Sequence, residues 1–236
     1  QVHVFCPPAG RAARAALVVF AGGGYWMRAG HEGYGTARHF AEQGLACFVV
    51  DYRTRADGYR HPAMLEDALA GIHSVKGRAN EYGIRGLPLG VLGYSAGGHL
   101  AAMTLVAYDF ISPGSTALQP DFGVLCYPVI HATGPHAHGC AKEMAGEDAG
   151  EDTLRFLSPQ TGVRENTPPT FLWHTMEDAA VPAANTLAFA GALADKGVPY
   201  EAHVYQGAPH GAGLETPFAW DAALLRWLDA CVLKPA

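Results

Sequence analysis

The sequence predicts an α/β fold: a mainly parallel sheet with helices on both faces, in a single domain spanning residues 1–236. Three observations predict it. Continuous apolar runs of strand length, such as residues 16–20 and 45–51, are the pattern of strands buried on both faces. Amphipathic stretches alternate with these runs along the chain, which is the order that builds parallel crossovers. One run, ending at Leu92, passes through Gly93-Tyr94-Ser95-Ala96-Gly97 directly into a helical pattern.

Composition bounds the rest. At 236 residues and 49% hydrophobic, the chain can bury one substantial core and is short for two. A formal charge of -6 without any basic run argues against nucleic acid and anionic membrane surfaces as partners. No apolar run approaches the length of a membrane span. The five cysteines, Cys6, Cys47, Cys126, Cys140 and Cys231, include no C-x-x-C pair. Cys47 and Cys126 sit in apolar runs and read as small hydrophobes. An odd count argues against a disulfide framework, with one bridge among Cys6, Cys140 and Cys231 left open. The chain begins at Gln1 and shows no signal peptide, so cytoplasmic and secreted locations both stay open, as does the oligomeric state.

In chain order, residues 2–5 alternate weakly, as a short edge strand would, and Pro7 and Pro8 end it. Residues 16–20 form the first buried strand, followed at once by Gly22-Gly23-Gly24-Tyr25-Trp26. Residues 36–43 are a short helix closed by Gly44, and 45–51 a second buried strand. Residues 62–82 read as a long helix, with Pro62 in its first turn and Leu65, Leu69, Ile72 and Val75 on one face. A strand over 87–92 feeds the serine turn, and a helix runs over 95–108. Strands follow at 122–127 and 170–174, a helix at 181–196 ended by Gly197, and an alternating outer strand at 200–205. Trp220, Ala223, Leu224, Trp227, Leu228 and Cys231 mark the apolar face of a last helix. Residues 130–166, irregular and rich in Gly, His and acidic residues, read as a small insertion over the site.

Ligands of such sheets bind beyond the carboxyl ends of the strands. The serine turn, the glycine loop and the segment after His174 all lie just past strand ends, so one edge gathers them. A serine at the apex of a G-x-S-x-G turn is held with its hydroxyl clear of the sheet, because side chains at Gly93 and Gly97 would collide with neighbouring backbone. A hydroxyl needs a base to act as a nucleophile at neutral pH. His210, in Gly207-Ala208-Pro209-His210-Gly211, has no apolar periodicity to explain it and is the candidate base. The base needs a carboxylate to orient it. Asp178 is favoured by its place after a strand; Glu177 beside it competes. Asp51 precedes the serine and is read as bonding locally near Arg53. The Ala96 amide and those of the glycine run are candidate donors to an oxyanion. The glycine run could instead cradle phosphate, but it lacks the G-x-G-x-x-G spacing.

Other side chains carry two readings. His99, one turn after Ser95, is a second base or a partly buried helix histidine bonded to a neighbouring loop; the second is favoured. His131, His136 and His138 invite a metal but lack ligand spacing. Tyr25 and Trp26 either line the substrate pocket or pack beneath the insertion. Pro182 and Asn185 read as the start and decoration of a helix.

Taken together, Ala21-Gly22-Gly23-Gly24-Tyr25-Trp26, Asp51-Tyr52-Arg53, Gly93-Tyr94-Ser95-Ala96-Gly97-Gly98-His99-Leu100-Ala101, Tyr127-Pro128, residues 168–182 and Pro209-His210-Gly211 resemble the α/β-hydrolase esterases. The nearest resemblance is to the acetylesterase and acetylxylan-esterase-like enzymes, near the hormone-sensitive-lipase relatives, and it spans almost the whole chain. It implies Ser95 as nucleophile, Asp178 as acid and His210 as base, in the Ser, Asp, His order of that fold. It also implies an oxyanion hole from the Gly23, Gly24 and Ala96 amides, no cofactor, and a small-molecule or carbohydrate ester as substrate. Ala21 stands where the lipase branch has histidine, and the glycine loop comes too early for that branch's long cap. The first departure favours the acetylesterase side, and without the cap there is little to bury a long acyl chain, which supports short acyl groups, chiefly acetyl. An amide, peptide or aryl formamide hydrolase, and a catalytically dead binding protein, are the alternatives.

Overall fold

The computed structural model describes residues 1–233. Seven strands form one sheet in the order β1-β3-β2-β4-β5-β6-β7. They are β1 (Val2–Phe5), β2 (Ala15–Phe20), β3 (Leu45–Val50), β4 (Leu89–Tyr94), β5 (Phe122–Cys126), β6 (Thr170–Thr175) and β7 (Tyr200–Tyr205). β1 pairs antiparallel with β3, and every other pairing is parallel. Burial follows from this order. The central strands β2 to β6 are buried along their full length, whereas the outer β7 alternates between exposed and half-buried residues.

The pleat divides the core in two. Ala16, Val18 and Phe20 of β2, with Ala46, Phe48 and Val50 of β3, face one side, against α2 (Ala63–Gly77), α3 (Ser95–Val106) and α6 (Ala184–Asp195). The intervening Ala15, Leu17, Val19, Leu45, Cys47 and Val49 face the other side, against α1 (Thr36–Glu42) and α7 (Trp220–Trp227). The core is therefore two apolar layers with the sheet between them, as the uninterrupted strand runs require. α3 is buried on every side, which suits a composition dominated by Gly, Ala, Leu, Met and Val, while its buried His99 and Thr104 are hydrogen-bonded. Among the described residues, no helix is long and apolar enough to cross a membrane, and all five cysteines are unpaired.

Three boundaries differ from the sequence expectation, each for a local reason. α2 stops at Gly77 rather than running to residue 82, because the Ala79 carbonyl turns to accept the Ile84 N–H. β4 starts at Leu89, after Pro88 has removed a ladder donor. α6 starts at Ala184 rather than at 181, because both backbone groups of Val181 are engaged elsewhere: its N–H by Asp178 and its carbonyl by His174. Residues 130–166 carry two short helices, α4 (Gly139–Ala145) and α5 (Glu151–Phe156), and pack against α3. Asn185, expected only to decorate a helix, is fully buried. Its Oδ1 accepts the Ile130 and His131 N–H groups and its Nδ2 donates to the His136 carbonyl, so it pins the start of that segment. Asp51 also departs from expectation. It meets His3, Tyr34 and Arg28, while Arg53 pairs with Asp67.

Candidate active site

β4 ends at Tyr94 and α3 begins at Ser95 with no residue between them. Ser95 accordingly has φ +53°, a left-handed backbone that a non-glycine residue adopts only when its surroundings impose it. The surroundings are two backbones in contact. A Cβ on Gly93 would overlap the Gly97 carbonyl, and one on Gly97 would overlap the carbonyls of Phe20 and Ala21. Glycine at both positions lets the turn close and stands Ser95 at the carboxyl edge of the sheet.

The loops after β6 and β7 complete a hydrogen-bonded line. Ser95 Oγ lies 2.8 Å from His210 Nε2, and His210 Nδ1 lies 2.6 Å from Asp178 Oδ2. With Nδ1–H donating to the carboxylate, Nε2 is left to accept the serine proton. The Asp178 side chain is fully buried. Burial alone would raise its pKa, but hydrogen bonds from His174, His210 and the Val181 N–H outweigh that and hold it well below the usual carboxylate range. Its other oxygen, Oδ1, accepts the Ala180 and Val181 N–H groups at 3.0 and 2.8 Å. Glu177, the competing carboxylate, points away and accepts the Gly207 N–H, bracing the start of the histidine loop.

The glycine loop lies against this line, since a Cβ on Gly22 would come 3.1 Å from Ser95 Cβ. Gly23, Gly24 and Tyr25 have φ values of +123°, +62° and +60°, and the Trp26 and Met27 N–H groups fold back onto the Gly23 carbonyl. Among the described residues, none accepts the Gly23 or Gly24 N–H. Ala96 is the second residue of α3, where first-turn amides lack an intrahelical acceptor. The Ala96 amide, next in chain to Ser95, and the Gly23 and Gly24 amides of the loop that packs against it are thus free donors of the kind an oxyanion requires.

Tyr25 and Trp26 part company. Tyr25 is fully buried, with its hydroxyl 2.6 Å from His99 Nδ1, so it braces the loop from beneath and does not line the cleft. His99 Nε2 donates to the Leu157 carbonyl at 2.7 Å. His99 is thus the buried, loop-bonded histidine the sequence favoured, and burial pushes its pKa down to about 4. Trp26 is 56% exposed and lines a cleft of about 660 Å³ with Gly24, Arg55, His138, Gly139, Cys140 and Glu143. The Arg55 guanidinium stacks 5.4 Å from its ring centroid and pairs with Glu143. No group of three metal-ligating side chains comes together among the described residues. His138 instead caps α4 through the Cys140 N–H.

Three residues escaped the sequence reading. His174, next to last in β6, is fully buried, with Nδ1 on Thr186 and Nε2 on both the Val181 carbonyl and Asp178. Glu32 accepts the Gly22 N–H, and Tyr127, directly after β5, packs edge-on to His210 with ring centroids 5.0 Å apart. The available signals were weak: a carboxylate in a stretch without apolar period, and polar residues closing apolar strands.

The comparisons with known proteins point the same way. The chain matches the BD-FAE family model over residues 2–111 and that of the prolyl oligopeptidase family over residues 64–234. It is 31% identical over 244 residues to an acetylxylan esterase of Xylanibacter ruminicola, covering 98% of this chain and 48% of that protein. Against an endo-1,4-beta-xylanase B of Butyrivibrio fibrisolvens it is 33% identical over 206 residues, covering 84% of this chain and 32% of the relative. The chain thus spans about half or less of these curated relatives. Among solved structures, the acetyl ester-xyloside bifunctional hydrolase of Caldicellulosiruptor lactoaceticus superposes with a TM-score of 0.90 at 34% identity, covering 99% of this chain and 89% of that one.

Proposed function

The chain belongs to the α/β-hydrolase esterase family, and on that premise we propose that it is a serine carboxylic-ester hydrolase that removes short acyl groups, chiefly acetyl, from carbohydrate esters. The observation that carries this reading is the hydrogen-bonded line from Ser95 through His210 to Asp178, at 2.8 and 2.6 Å, beside the amides of Gly23, Gly24 and Ala96. His210 takes the Ser95 proton as Oγ attacks the ester carbonyl. The three amides hold the tetrahedral oxyanion, and Asp178 stabilises the imidazolium. His210 then protonates the leaving alcohol, and water, activated by the same histidine, releases the acid from Ser95. The residues named supply every proton transfer in this sequence.

Short acyl groups agree with the charged and polar side chains of Arg55, His138 and Glu143, which share with Trp26 the cleft beside Gly24 of the glycine loop. A carbohydrate alcohol agrees with the exposed Trp26 ring in that cleft and with the names of the acetylxylan esterase and acetyl ester-xyloside hydrolase relatives. Ser95→Ala should lower p-nitrophenyl acetate turnover by at least about 10⁴-fold. Retained turnover would sink the proposal, and equal kcat/KM for acetate and decanoate esters would sink the short-chain part.

The match to the prolyl oligopeptidase family over residues 64–234 favours a second reading, amide or peptide hydrolysis by the same groups. Acetylated xylooligosaccharides and acyl arylamides assayed side by side separate the two. Fluorophosphonate labelling of Ser95 separates both from a binding protein without activity.

A further inference from the structure

We propose that Glu32 is a positioning residue of this reaction, its buried carboxylate tying the oxyanion loop to the histidine loop so that the two halves of the site stay in register. The proposal rests on the serine-esterase reading above. Of the aspartates and glutamates among the described residues, only Asp178 and Glu32 are buried. Asp178 has its task. Glu32 touches neither Ser95 nor His210 by a hydrogen bond, yet it lies under both of the loops that serve them.

A carboxylate removed from water is costly unless donors meet its oxygens. Here each oxygen receives one donor, from a different part of the chain. Oε2 accepts the Gly22 N–H at 2.8 Å, and Oε1 accepts the Tyr127 hydroxyl at 2.7 Å. That hydroxyl in turn accepts the Gly213 N–H at 2.9 Å, three residues beyond His210. The Gly213 carbonyl takes the indole N–H of Trp220 at 3.0 Å, anchoring the far end on α7. A continuous path thus runs from the glycine loop through Glu32 and Tyr127 to the histidine loop. His31 adds a parallel tie, its Nε2 lying 3.1 Å from the Gly211 carbonyl.

The local geometry gives this path a consequence for the reaction. With the Gly22 N–H committed to Glu32 and the Gly22 carbonyl to the Ala29 N–H at 2.9 Å, both peptide planes at Gly22 are held. The next two amides, of Gly23 and Gly24, meet no acceptor among the described residues and are left free for the charge that develops at the ester oxygen. A Cβ on Gly22 would overlap Glu32 Oε2, so the carboxylate is packed directly against the loop it orients. At the other end, Tyr127 sits at φ +35° with its ring edge-on to His210, so its placement also sets the face on which the imidazole rests. Donors on the two loops aim at one transition state, and a shift of either loop loses stabilisation made only there.

The test uses Glu32→Gln and Tyr127→Phe, singly and together, on the full chain with p-nitrophenyl acetate. Glutamine keeps the volume but can accept from only one of the two donors. Glu32→Gln is expected to lower kcat about 10- to 100-fold with KM within about twofold, and to raise Ki for a boronic acid that adds to Ser95 by a matching factor. Tyr127→Phe, which keeps the Gly22 contact, is expected to act in the same direction, and the double variant to fall short of the product of the singles. Unfolding midpoints report the folded fraction at assay temperature. The proposal is overturned by an unchanged kcat, by a loss confined to KM, or by an unchanged boronate Ki in a folded variant. An inactive wild-type chain unlabelled by fluorophosphonate would instead overturn the esterase reading, and this proposal with it.

Discussion

Replacing Asp178 by asparagine preserves volume and most contacts, so the structure dictates what is lost. Oδ1 accepts two backbone N–H groups, from Ala180 and Val181, and the carbonyl oxygen of asparagine must stay there. The amide nitrogen then occupies the place of Oδ2, which lies 2.6 Å from His210 Nδ1 and 3.2 Å from His174 Nε2. His174 cannot turn to accept from it, because its Nε2–H is held at 2.8 Å by the Val181 carbonyl and its Nδ1 by Thr186. His210 can adapt only by moving its proton to Nε2, so that Nδ1 accepts from the amide. The nitrogen facing Ser95 Oγ at 2.8 Å would then carry a hydrogen and could not take the serine proton. A wrong tautomer at the general base, together with loss of the countercharge to imidazolium, costs about 10³- to 10⁴-fold in kcat/KM. That corresponds to about 4 to 5.5 kcal/mol at about 1.4 kcal/mol per tenfold. The assay is p-nitrophenyl acetate hydrolysis at pH 7, with the unfolding midpoint confirming a folded variant. Activity within tenfold of wild type would refute the role of Asp178 and the tautomer reasoning together.

Three further outcomes follow from the packing. His99 has its pKa pushed down by burial from 6.5 to about 4, so between these values the unfolded chain binds a proton that the folded chain refuses. Stability from this group is therefore complete above about pH 6.5 and drains as pH falls toward 4, by about 2 kcal/mol at pH 5. His99→Gln should flatten that slope in urea titrations at pH 7 and 5, and a parallel slope would contradict the assignment. Gly97→Ala forces a Cβ into the carbonyls of Phe20 and Ala21 and should destabilise by about 3 kcal/mol or more. Gly191→Ala, in α6 with open space around it, should instead stabilise by about 0.5 to 1 kcal/mol; similar unfolding midpoints for the two would refute the close-approach account. Trp26→Ala removes an exposed ring from the cleft and should raise KM for acetylated xylooligosaccharides several-fold while p-nitrophenyl acetate kinetics hold; equal effects on both would remove Trp26 from substrate recognition.

The sequence by itself determined the strands, the serine turn and the glycine loop, because each depends on neighbours in the chain. An apolar run of five or six residues has few places to go but the middle of a sheet, and Gly93 and Gly97 flank Ser95 because that turn admits no side chain there. His210 was legible for the opposite reason: nothing local explained it. What only the tertiary structure decided are the contacts that close over long separations. Asp178 was already favoured over Glu177 by its place in the chain, but the contact that sets it against His210, 32 residues away, and turns Glu177 to the Gly207 N–H is made only by the fold. The division of Tyr25 and Trp26, one beneath the loop and one in the cleft, turned on a left-handed backbone and on His99, 74 residues distant. Asn185 was read as helix decoration because its partners, Ile130 and His131, lie more than 50 residues back. Glu32 and Tyr127, 95 residues apart, carry no shared pattern in the chain. A buried polar group is specified by the donors and acceptors that surround it, and in a parallel sheet those come from loops that only the strand order brings together.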